Sequence, residues 1–532
     1  MSIEKKVAQL IDTLPLAEKV GQLFLLAFAG NDYEYAKALV KYYHVGGFYI
    51  TDDNAANPKE ATNLATMLQQ EAALRACDVP LLLAVDQEGA WGILTHHTDL
   101  GPGNLALGQA NDRALTADMY QVYGEQMQKI GYNTLLSPCA DVNANPNNPI
   151  IGLRAFGEET VGVAHHVSAA VEGANKSGNL CCAKHFPGHG DTQSDSHQTL
   201  PIVDKSFTAL MQQDLVPFKA AIEQGVGLIM TSHICYPQID PKNPATLSKI
   251  ILQDILQKQL GFKGLIITDS MNMWSMRHNY EPAEAAIKAL EAGAHIVMLS
   301  EEHYENSTTP YKEIQAATIL GVIDAVKNNV LDEKVINDRL QQVLVFKYRH
   351  FADSPTPTNS LLNKASDIAK LAAEKAIKVL RNEQGLWPLN TRPFTLAFAA
   401  NPKGYEKITN DRGIGPNDPL SAQHVIVSTL QQRNTPHTLL SYQQLLAALN
   451  NDDFELNSPL VLVTEDYPLP GESFDVSEQQ KILKKAIDKW PDQLIVIAMR
   501  SDYELENHPQ LKTYICAYSS RAISAEVIAK LL

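Results

Sequence analysis

The sequence predicts an α/β protein in which a (β/α)8 TIM-like barrel is followed by a smaller α/β/α sandwich domain. Short apolar runs recur through the first 300 residues, and most of them are separated by segments with apolar residues at helical spacing. Polar residues directly follow several runs, as expected for barrel strands that carry functional groups at their carboxyl ends. A change of composition after residue 350 marks a second unit.

We interpret eight of the apolar runs as the barrel strands: 23–28, 47–50, 81–85, 134–136, 180–183, 227–231, 265–268 and 295–299. Helical segments between them include 114–130, 161–177, 207–224 and 282–292. Eight strand–helix units in about 300 residues fit a closed barrel better than an open sheet. The polar residues that follow runs are Asp86, Asp141, Lys184, His233 and Asp269.

The chain divides at a segment rich in proline and small polar residues, FADSPTPTNS. Residues 1–350 are predicted to form the barrel, with a final helix over 332–348, residues 351–364 the linker, and residues 365–532 the second domain. A helix over 365–380 and apolar runs at 395–400, 425–430, 460–464 and 494–499 indicate a smaller α/β unit. The chain ends on a helix-like run, so we expect no further strand there.

Composition excludes several classes of partner. The 532 residues are 45% hydrophobic, which is ordinary for a globular protein, and carry a formal net charge of −16, which disfavours nucleic acid or an anionic membrane surface. The N-terminus lacks a basic start followed by an apolar run, and no apolar window approaches the roughly 20 residues that span a bilayer. We therefore expect a cytoplasmic protein. The six cysteines lack metal-ligand spacing and are expected to be reduced core residues.

The densest group of titratable residues follows the fifth apolar run, where residues 184–197 read KHFPGHGDTQSDSH. A glycine-containing polar loop after a buried strand is typical of an active-site loop on a rigid scaffold. Asp195 and His197 lie two residues apart, so their side chains can hydrogen bond in a turning loop. An aspartate beside a histidine fixes its tautomer, which gives a proton shuttle near neutral pH. The alternative is an Asp cap beside a solvent-exposed His in a surface loop.

Further candidates stand at the ends of other predicted strands or in loops. Asp269 follows the seventh run, where a carboxylate can attack or can stabilise cationic charge, although a helix cap is an equally ordinary role for it. Asp86 in VDQEGAWG and Arg154 in GLRAFGEE offer the acceptors and donors that sugar hydroxyls need. His185, His189 and His233 suggest a metal site only weakly, because no ligand spacing with carboxylates accompanies them, and we expect no metal.

The chain resembles glycoside hydrolase family 3, in its bacterial β-N-acetylglucosaminidase branch. The residues that carry the resemblance are DQEG, DVNANPNNPIIGLRAFG, KHFPGHGDTQSDSH, PATLS, ITDSMNM and VMLS, and the long loop containing DSH discriminates the branch. The similarity covers essentially the first 350 residues. AAEKAIKVLRNEQGLWPL resembles the opening of the family's second α/β sandwich domain.

The resemblance implies a role for each matching residue. Asp269 matches the nucleophile of a retaining mechanism with a covalent glycosyl-enzyme intermediate, His197 the general acid/base and Asp195 its orienting partner. Asp86, Arg154, Lys184 and His185 match positions that hold the hydroxyls and 2-acetamido group of the terminal sugar. No metal or organic cofactor is implied. The tip of the loop is expected to be mobile, because it must reach the leaving-group side of the bond.

Two departures from the family pattern affect these expectations. The arginines that usually follow DQEGG are absent here, where Ala90, Trp91 and Gly92 follow Gly89, and Trp91 offers stacking instead of charge. These missing arginines leave the identity of the sugar, or of its aglycone, undetermined by the sequence. The chain also ends before the terminal strand of many members, so we expect the second domain to be structural or to form a homodimer.

The sequence therefore predicts an exo-acting β-N-acetylglucosaminidase that takes a carbohydrate substrate, either amino-sugar oligosaccharides or recycled cell-wall fragments. One alternative is a phosphorylase, because a histidine acid/base repels incoming phosphate less than a carboxylate does. Another alternative is a non-catalytic sugar-binding protein.

Overall fold

A computed structural model describes residues 2–197, 199–300, 311–353, 360–401, 420–465 and 476–532. The first eight strands are β1 (Phe24–Leu26), β2 (Gly47–Ile50), β3 (Leu82–Val85), β4 (Thr134–Leu135), β5 (Leu180–Phe186), β6 (Leu228–Thr231), β7 (Leu265–Ile267) and β8 (Val297–Leu299). Each of the eight predicted apolar runs contains one of these strands or its larger part. The residues of these strands are buried almost without exception, as expected for parallel strands covered on both faces.

The eight strands form a closed parallel barrel. The sheet order runs from β7 down to β1 and then to β8, and each pair of neighbouring strands in this order is parallel. Between β7 and β8 the Thr268 amide donates to the Ile296 carbonyl at 3.0 Å, and the His295 amide donates to the Ile266 carbonyl at 2.8 Å. The predicted (β/α)8 barrel is therefore confirmed.

Helices surround the barrel. They are α1 (Ile3–Thr13), α2 (Leu16–Gly21), α3 (Tyr33–Tyr42), α4 (Pro58–Ala73), α5 (Asn104–Ala110), α6 (Arg113–Lys129), α7 (Thr160–Ser177), α8 (Phe207–Gln212), α9 (Leu215–Glu223), a π-helix (Ile250–Gln259), α10 (Trp274–Arg277), α11 (Pro282–Ala292), α12 (Tyr311–Lys327) and α13 (Glu333–Asp353).

Two predicted boundaries in the barrel were wrong. The single helix predicted over 207–224 is two helices, α8 and α9. Pro217 has no N–H to donate to the Gln213 carbonyl and its ring would clash with that carbonyl in a continuous helix, so Gln213 leaves helical angles. β5 extends to Phe186, three residues beyond the predicted run. Lys184 and His185 consequently lie within the buried carboxyl end of the strand and not after it.

Helix α13 closes the amino-terminal end of the barrel. Lys347 on this helix is fully buried, and its Nζ donates to the carbonyl of Gly46, directly before β2, at 2.9 Å. Gln342 Oε1 lies 2.8 Å from Nε2 of His295, two residues before β8. The opposite, carboxyl-terminal end of the strands is left for the loops that carry the candidate site residues.

A second sheet follows the barrel. Its strands are β9 (Lys378–Asn382), β10 (Phe394–Phe398), β11 (His437–Leu439), β12 (Leu460–Thr464), β13 (Leu494–Ala498) and β14 (Thr513–Cys516), in the order β11-β10-β12-β13-β14-β9. All pairings are parallel except that β9 runs antiparallel to β14. The accompanying helices are α14 (Ala365–Ala376), α15 (Ala422–Gln432), α16 (Tyr442–Asn450), α17 (Val476–Lys489), α18 (Glu504–Asn507) and α19 (Ala522–Leu531). The predicted second α/β domain is confirmed.

One predicted helix in this domain was too long. The helix predicted over 365–380 ends at Ala376, and the next residues form β9, because Lys378 and Val379 pair with Cys516 and Ile515 of β14. The apolar run at 425–430 lies on α15. The chain ends on α19, as expected. Of the predicted linker 351–364, residues 354–359 lie outside the described residues, while α13 continues to Asp353 and Leu362–Lys364 form a 3-10 turn.

Two other expectations concern cysteines and membranes. None of the six cysteines forms a disulfide; five are buried, and Cys235 is half-buried. Within the described ranges, every helix is too short or too polar to cross a bilayer.

Candidate active site

A pocket at the carboxyl end of the barrel strands brings the predicted site residues together. Asp86, Arg154, Lys184, His185, His197 and Asp269 all line it. The remaining predicted residue, Asp195, lies directly against His197. The pocket is also lined by Tyr49, Trp91, Leu136, Ile150, His189, Ser196, Met230, Ser270, Met298 and Ser300.

Asp86 is held as a carboxylate at the end of β3. Its Oδ1 accepts a hydrogen bond from Lys184 Nζ at 2.5 Å, and its Oδ2 accepts one from the Tyr49 hydroxyl at 2.7 Å. Burial alone would raise the pKa of Asp86, but the Lys184 charge and these hydrogen bonds hold the pKa below its usual value. The pocket therefore contains an ionised acceptor beside an ionised donor.

Arg154 is fixed on several sides. Its Nε and Nη2 donate to the two oxygens of buried Glu88 at 3.3 and 3.2 Å, and its guanidinium stacks on the Trp91 ring with 3.8 Å to the centroid. Glu88 also lies 3.3 Å from Lys184 Nζ. Burial would lower the pKa of Arg154, but the Glu88 carboxylate raises it, so the guanidinium stays charged.

His185 is oriented by Asp141, which follows β4. Its Nδ1 lies 2.8 Å from Asp141 Oδ2, so Nδ1 carries the hydrogen, and Nε2 faces Arg154 Nη2 at 3.3 Å. Asp141 Oδ1 accepts the backbone N–H groups of His185 and His189 at 3.2 and 2.6 Å. Burial opposes ionisation of Asp141, but the two histidines hold its pKa well below the usual range.

Asp195 and His197 form the predicted pair. Asp195 Oδ1 accepts from His197 Nδ1 at 2.6 Å and from the His197 backbone N–H at 2.9 Å. Burial would raise the pKa of Asp195, but the His197 hydrogen bonds hold it below its usual value. With Nδ1 engaged by a carboxylate, Nε2 is the nitrogen that can exchange a proton with a ligand.

Two contacts place this pair over the pocket. The Ser196 hydroxyl lies 2.7 Å from His189 Nε2, and the Trp274 backbone N–H donates to the His197 carbonyl at 3.2 Å. His189 is buried, and burial lowers its pKa to about 4, so the ring is neutral at neutral pH. The expected mobility of the tip stays a prediction.

Asp269 lies two residues after β7 and opens onto the same pocket. Its Oδ1 accepts the Ser270 backbone N–H at 2.7 Å. Burial would raise the pKa of Asp269, but His185, His233 and His197 lower it below the usual value. His233 Nε2 donates to the Ser270 carbonyl at 2.9 Å, which fixes the turn that carries Asp269.

One buried group, Cys139, Asp141 and His185, has atoms close enough for a metal ion. Asp141 Oδ2 already accepts from Cys139 Sγ at 3.1 Å and from His185 Nδ1. Burial raises the pKa of Cys139 well above that of a free thiol, which disfavours the thiolate that binds metals. The geometry is that of a satisfied hydrogen-bond cluster.

The sequence reasoning did not single out several contributors to the site. Glu88 belongs to the DQEGAWG segment, in which only Asp86 and Trp91 were considered, and Asp141 was noted only as a polar residue after a strand. The signal for Glu88 and Asp141 was their position at a strand end. Tyr49 lies within β2 and Ser196 between two predicted residues, and no local pattern distinguishes their roles.

Comparisons with known proteins agree with this architecture. A family model described as "Glycosyl hydrolase family 3 N terminal domain" matches residues 15–346. "Beta-hexosaminidase A" of Pseudoalteromonas piscicida is 30% identical over 374 residues, 66% of this chain and 62% of that protein. A "Beta-hexosaminidase" of Nitrosomonas eutropha is 34% identical over 264 residues, 48% of this chain and 73% of that protein.

A solved structure covers both domains. The glycoside hydrolase family 3 beta-N-acetylglucosaminidase of Paenibacillus sp. str. FPU-7 is 27% identical, with a TM-score of 0.83 over 98% of this chain and 97% of that one. The family model alone spans more than half of the sequence, from α2 to α13. The chain belongs to glycosyl hydrolase family 3.

Proposed function

We propose that the protein is a retaining, exo-acting β-N-acetylglucosaminidase that releases terminal β-linked N-acetylhexosamine. One observation carries the proposal: Asp269 and the Asp195–His197 pair open onto the same pocket as Asp86, Arg154, Lys184 and His185. The names of the two β-hexosaminidases and of the Paenibacillus enzyme support the choice of an amino sugar.

The ionised groups on one side of the pocket would hold the terminal sugar. Asp86 can accept from two hydroxyls while Lys184 Nζ and the Arg154 guanidinium donate, and charge-assisted hydrogen bonds of this kind are the strong ones. His185 presents Nε2 beside Arg154. Trp91 extends the same side with an apolar face on which a sugar ring can stack.

The first chemical step is displacement at the anomeric carbon. An Asp269 carboxylate oxygen bonds to that carbon while the bond from the carbon to the leaving oxygen breaks. His197 Nε2 gives its proton to the leaving oxygen. The lowered pKa of Asp269 keeps the carboxylate ionised for attack, and Asp195 holds the imidazole through Nδ1.

The second step reverses these roles. A water molecule gives a proton to His197 Nε2 as its oxygen attacks the anomeric carbon, and the bond to Asp269 breaks. Two displacements at one carbon restore the β configuration. For the natural substrate we propose amino-sugar oligosaccharides or peptidoglycan fragments with a terminal β-N-acetylglucosamine.

A panel of aryl β-glycosides tests the proposal. We expect turnover of the N-acetylglucosaminide well above that of the glucoside, with the β-sugar as first product. Incubation with phosphate separates hydrolysis from phosphorolysis. Release of free sugar supports the proposed hydrolase, whereas release of sugar 1-phosphate would identify a phosphorylase and contradict the proposal.

A nucleophile variant makes the test specific to the pocket. Asp269→Ala should lower kcat by on the order of 10⁴-fold or more, and azide should restore turnover as an α-glycosyl azide. Asp254→Ala, an exposed carboxylate on the π-helix, is the matched control and should retain activity. Full activity of Asp269→Ala contradicts the proposal.

A further inference from the structure

We propose that the second domain positions the Trp91–Arg154 side of the pocket through Tyr503 and Arg521, and so sets the affinity for the sugar. The inference rests on the proposed function and assigns to the second domain more than the structural or dimer-forming role expected from the sequence. Trp91 and Arg154 lie on different loops of the barrel, and both line the pocket. Their stacking at 3.8 Å requires the two loops to keep one relative position.

Arg521 holds the first loop. Its Nη1 donates to the carbonyl of Ala90, the residue directly before Trp91, at 3.2 Å. Arg521 is buried and directly precedes α19, so it is fixed to a regular element of the second domain. Its side chain thus joins the backbone of the DQEGAW turn to that domain.

Tyr503 holds the second loop. Its hydroxyl accepts from Asn143 Nδ2 at 3.1 Å, and Asn143 Oδ1 accepts the Gly152 backbone N–H at 3.2 Å. Gly152 opens the single 3-10 turn that ends at Arg154. The Tyr503 ring also packs against Leu153, the residue directly before Arg154.

The same hydroxyl of Tyr503 donates to Glu158, beyond the turn. Trp91 directly follows Ala90, which Arg521 contacts, and Arg154 directly follows Leu153, which Tyr503 contacts. Displacement of a binding group by about 1 Å can cost on the order of 100-fold in rate. Tyr503 and Arg521 are positioning residues, because neither lines the pocket.

Kinetics of Tyr503→Phe and Arg521→Met test the inference. We expect KM for the aryl N-acetylglucosaminide, and the dissociation constant of N-acetylglucosamine by calorimetry, to rise about 3- to 10-fold, the effect of one or two lost hydrogen bonds. We expect kcat to change less than KM. Arg521→Lys keeps one donor for the Ala90 carbonyl and should restore part of the affinity.

A matched control separates positioning from general destabilisation. Lys375 on α14 forms an ion pair with Asp112, directly before α6, at 2.6 Å, which also joins the domains but does not touch either loop. Lys375→Ala should leave KM and the dissociation constant unchanged. If the Tyr503 and Arg521 variants behave like this control, or lose kcat and thermal stability together at constant KM, the inference is wrong.

A readout without substrate keeps the test independent of the proposed function. Acrylamide quenching of Trp91 fluorescence, isolated by comparison with the same proteins carrying Trp91→Phe, should increase in Arg521→Met and not in Lys375→Ala. If the wild-type protein cleaves no β-glycoside, the proposed function fails, and unchanged quenching would still overturn the positioning role by itself.

Discussion

The Nδ1 atom of His185 lies 2.8 Å from a carboxylate oxygen of Asp141, whose other oxygen accepts the backbone N–H of His189. His189 in turn contacts the Ser196 hydroxyl, between the two residues of the proposed acid/base pair. One buried carboxylate thus joins the proposed sugar-binding residues at the end of β5 to the proposed acid/base pair at the tip of the following loop.

Asp141→Asn should raise KM and destabilise the fold. Both Asp141 oxygens accept hydrogen bonds from His185 or His189, so the N–H₂ group of asparagine would face one of these donors. We expect the free energy of unfolding at pH 7 to fall by about 3 kcal/mol. The folded pKa of Asp141 is lowered relative to about 3.9 in the unfolded chain. Its stabilisation is therefore present above about pH 4 and is lost as pH falls further through the folded pKa.

Denaturant unfolding from pH 3 to 7 checks this prediction. The difference between wild type and Asp141→Asn should be constant from about pH 5 to 7 and should narrow below about pH 4. A difference that widens on acidification would show that the carboxylate is not held ionised.

Ser196→Ala should release the tip of the loop. Loss of one hydrogen bond to His189 is expected to lower kcat roughly 5-fold, since about 1 kcal/mol no longer favours the placed tip. Hydrogen exchange of residues 191–197 should become faster. Ser194→Ala is the control, because the Ser194 hydroxyl has no hydrogen bond with any of the residues described, and equal behaviour of the two variants would refute the contact's role.

The loss of activity in His197→Ala should depend on whether the leaving group needs a proton. For oligosaccharides, whose leaving oxygen needs a proton, kcat/KM should fall about 10²- to 10⁴-fold. For a 2,4-dinitrophenyl glycoside, whose leaving group needs none, the first step should be nearly unaffected. Steady-state kinetics on both substrates decide, with exposed His165→Ala as the control, and an equal loss on both substrates would exclude the acid role.

Lys347→Met should stabilise the protein at neutral pH. Burial and the nearby Arg75 lower the pKa of Lys347 to about 7, far below about 10.4 in the unfolded chain. Between these pH values Lys347 is protonated in the unfolded state and neutral in the folded state. The free energy of unfolding therefore falls progressively as pH falls from 10 to 7. The Gly46 carbonyl keeps a partner in the variant, because it also accepts the Leu82 N–H at 3.1 Å.

The advantage of Lys347→Met should therefore be largest at pH 7 and shrink towards pH 10, by about 1.4 kcal/mol per pH unit. Denaturant titrations across this range measure it. Lys334→Met, at an exposed position of the same helix, should show no such pH dependence. A constant difference at all pH values would mean that Lys347 is charged in the folded protein.

Much of the barrel and the site could be predicted from local patterns. All eight strand positions were visible as apolar runs, because each strand is buried on both faces. Asp86, Lys184 and Asp269, from the carboxyl ends of three strands, line one pocket, since parallel strands present those ends on the same side. The short spacing of Asp195 and His197 was sufficient to predict their hydrogen bond.

The sequence by itself determined the fold class and which polar residues stand near the strand ends, because hydrophobic periodicity and strand-end positions are local properties of the chain. Only the tertiary structure decided that residues 378–382 form a strand, since β14 supplies the partner. It alone also brought Tyr503 and Arg521 to the loops of Trp91 and Arg154, more than 300 residues away in sequence. Hydrogen bonds between residues so far apart form only when folding brings their segments together, so no local sequence pattern predicts them.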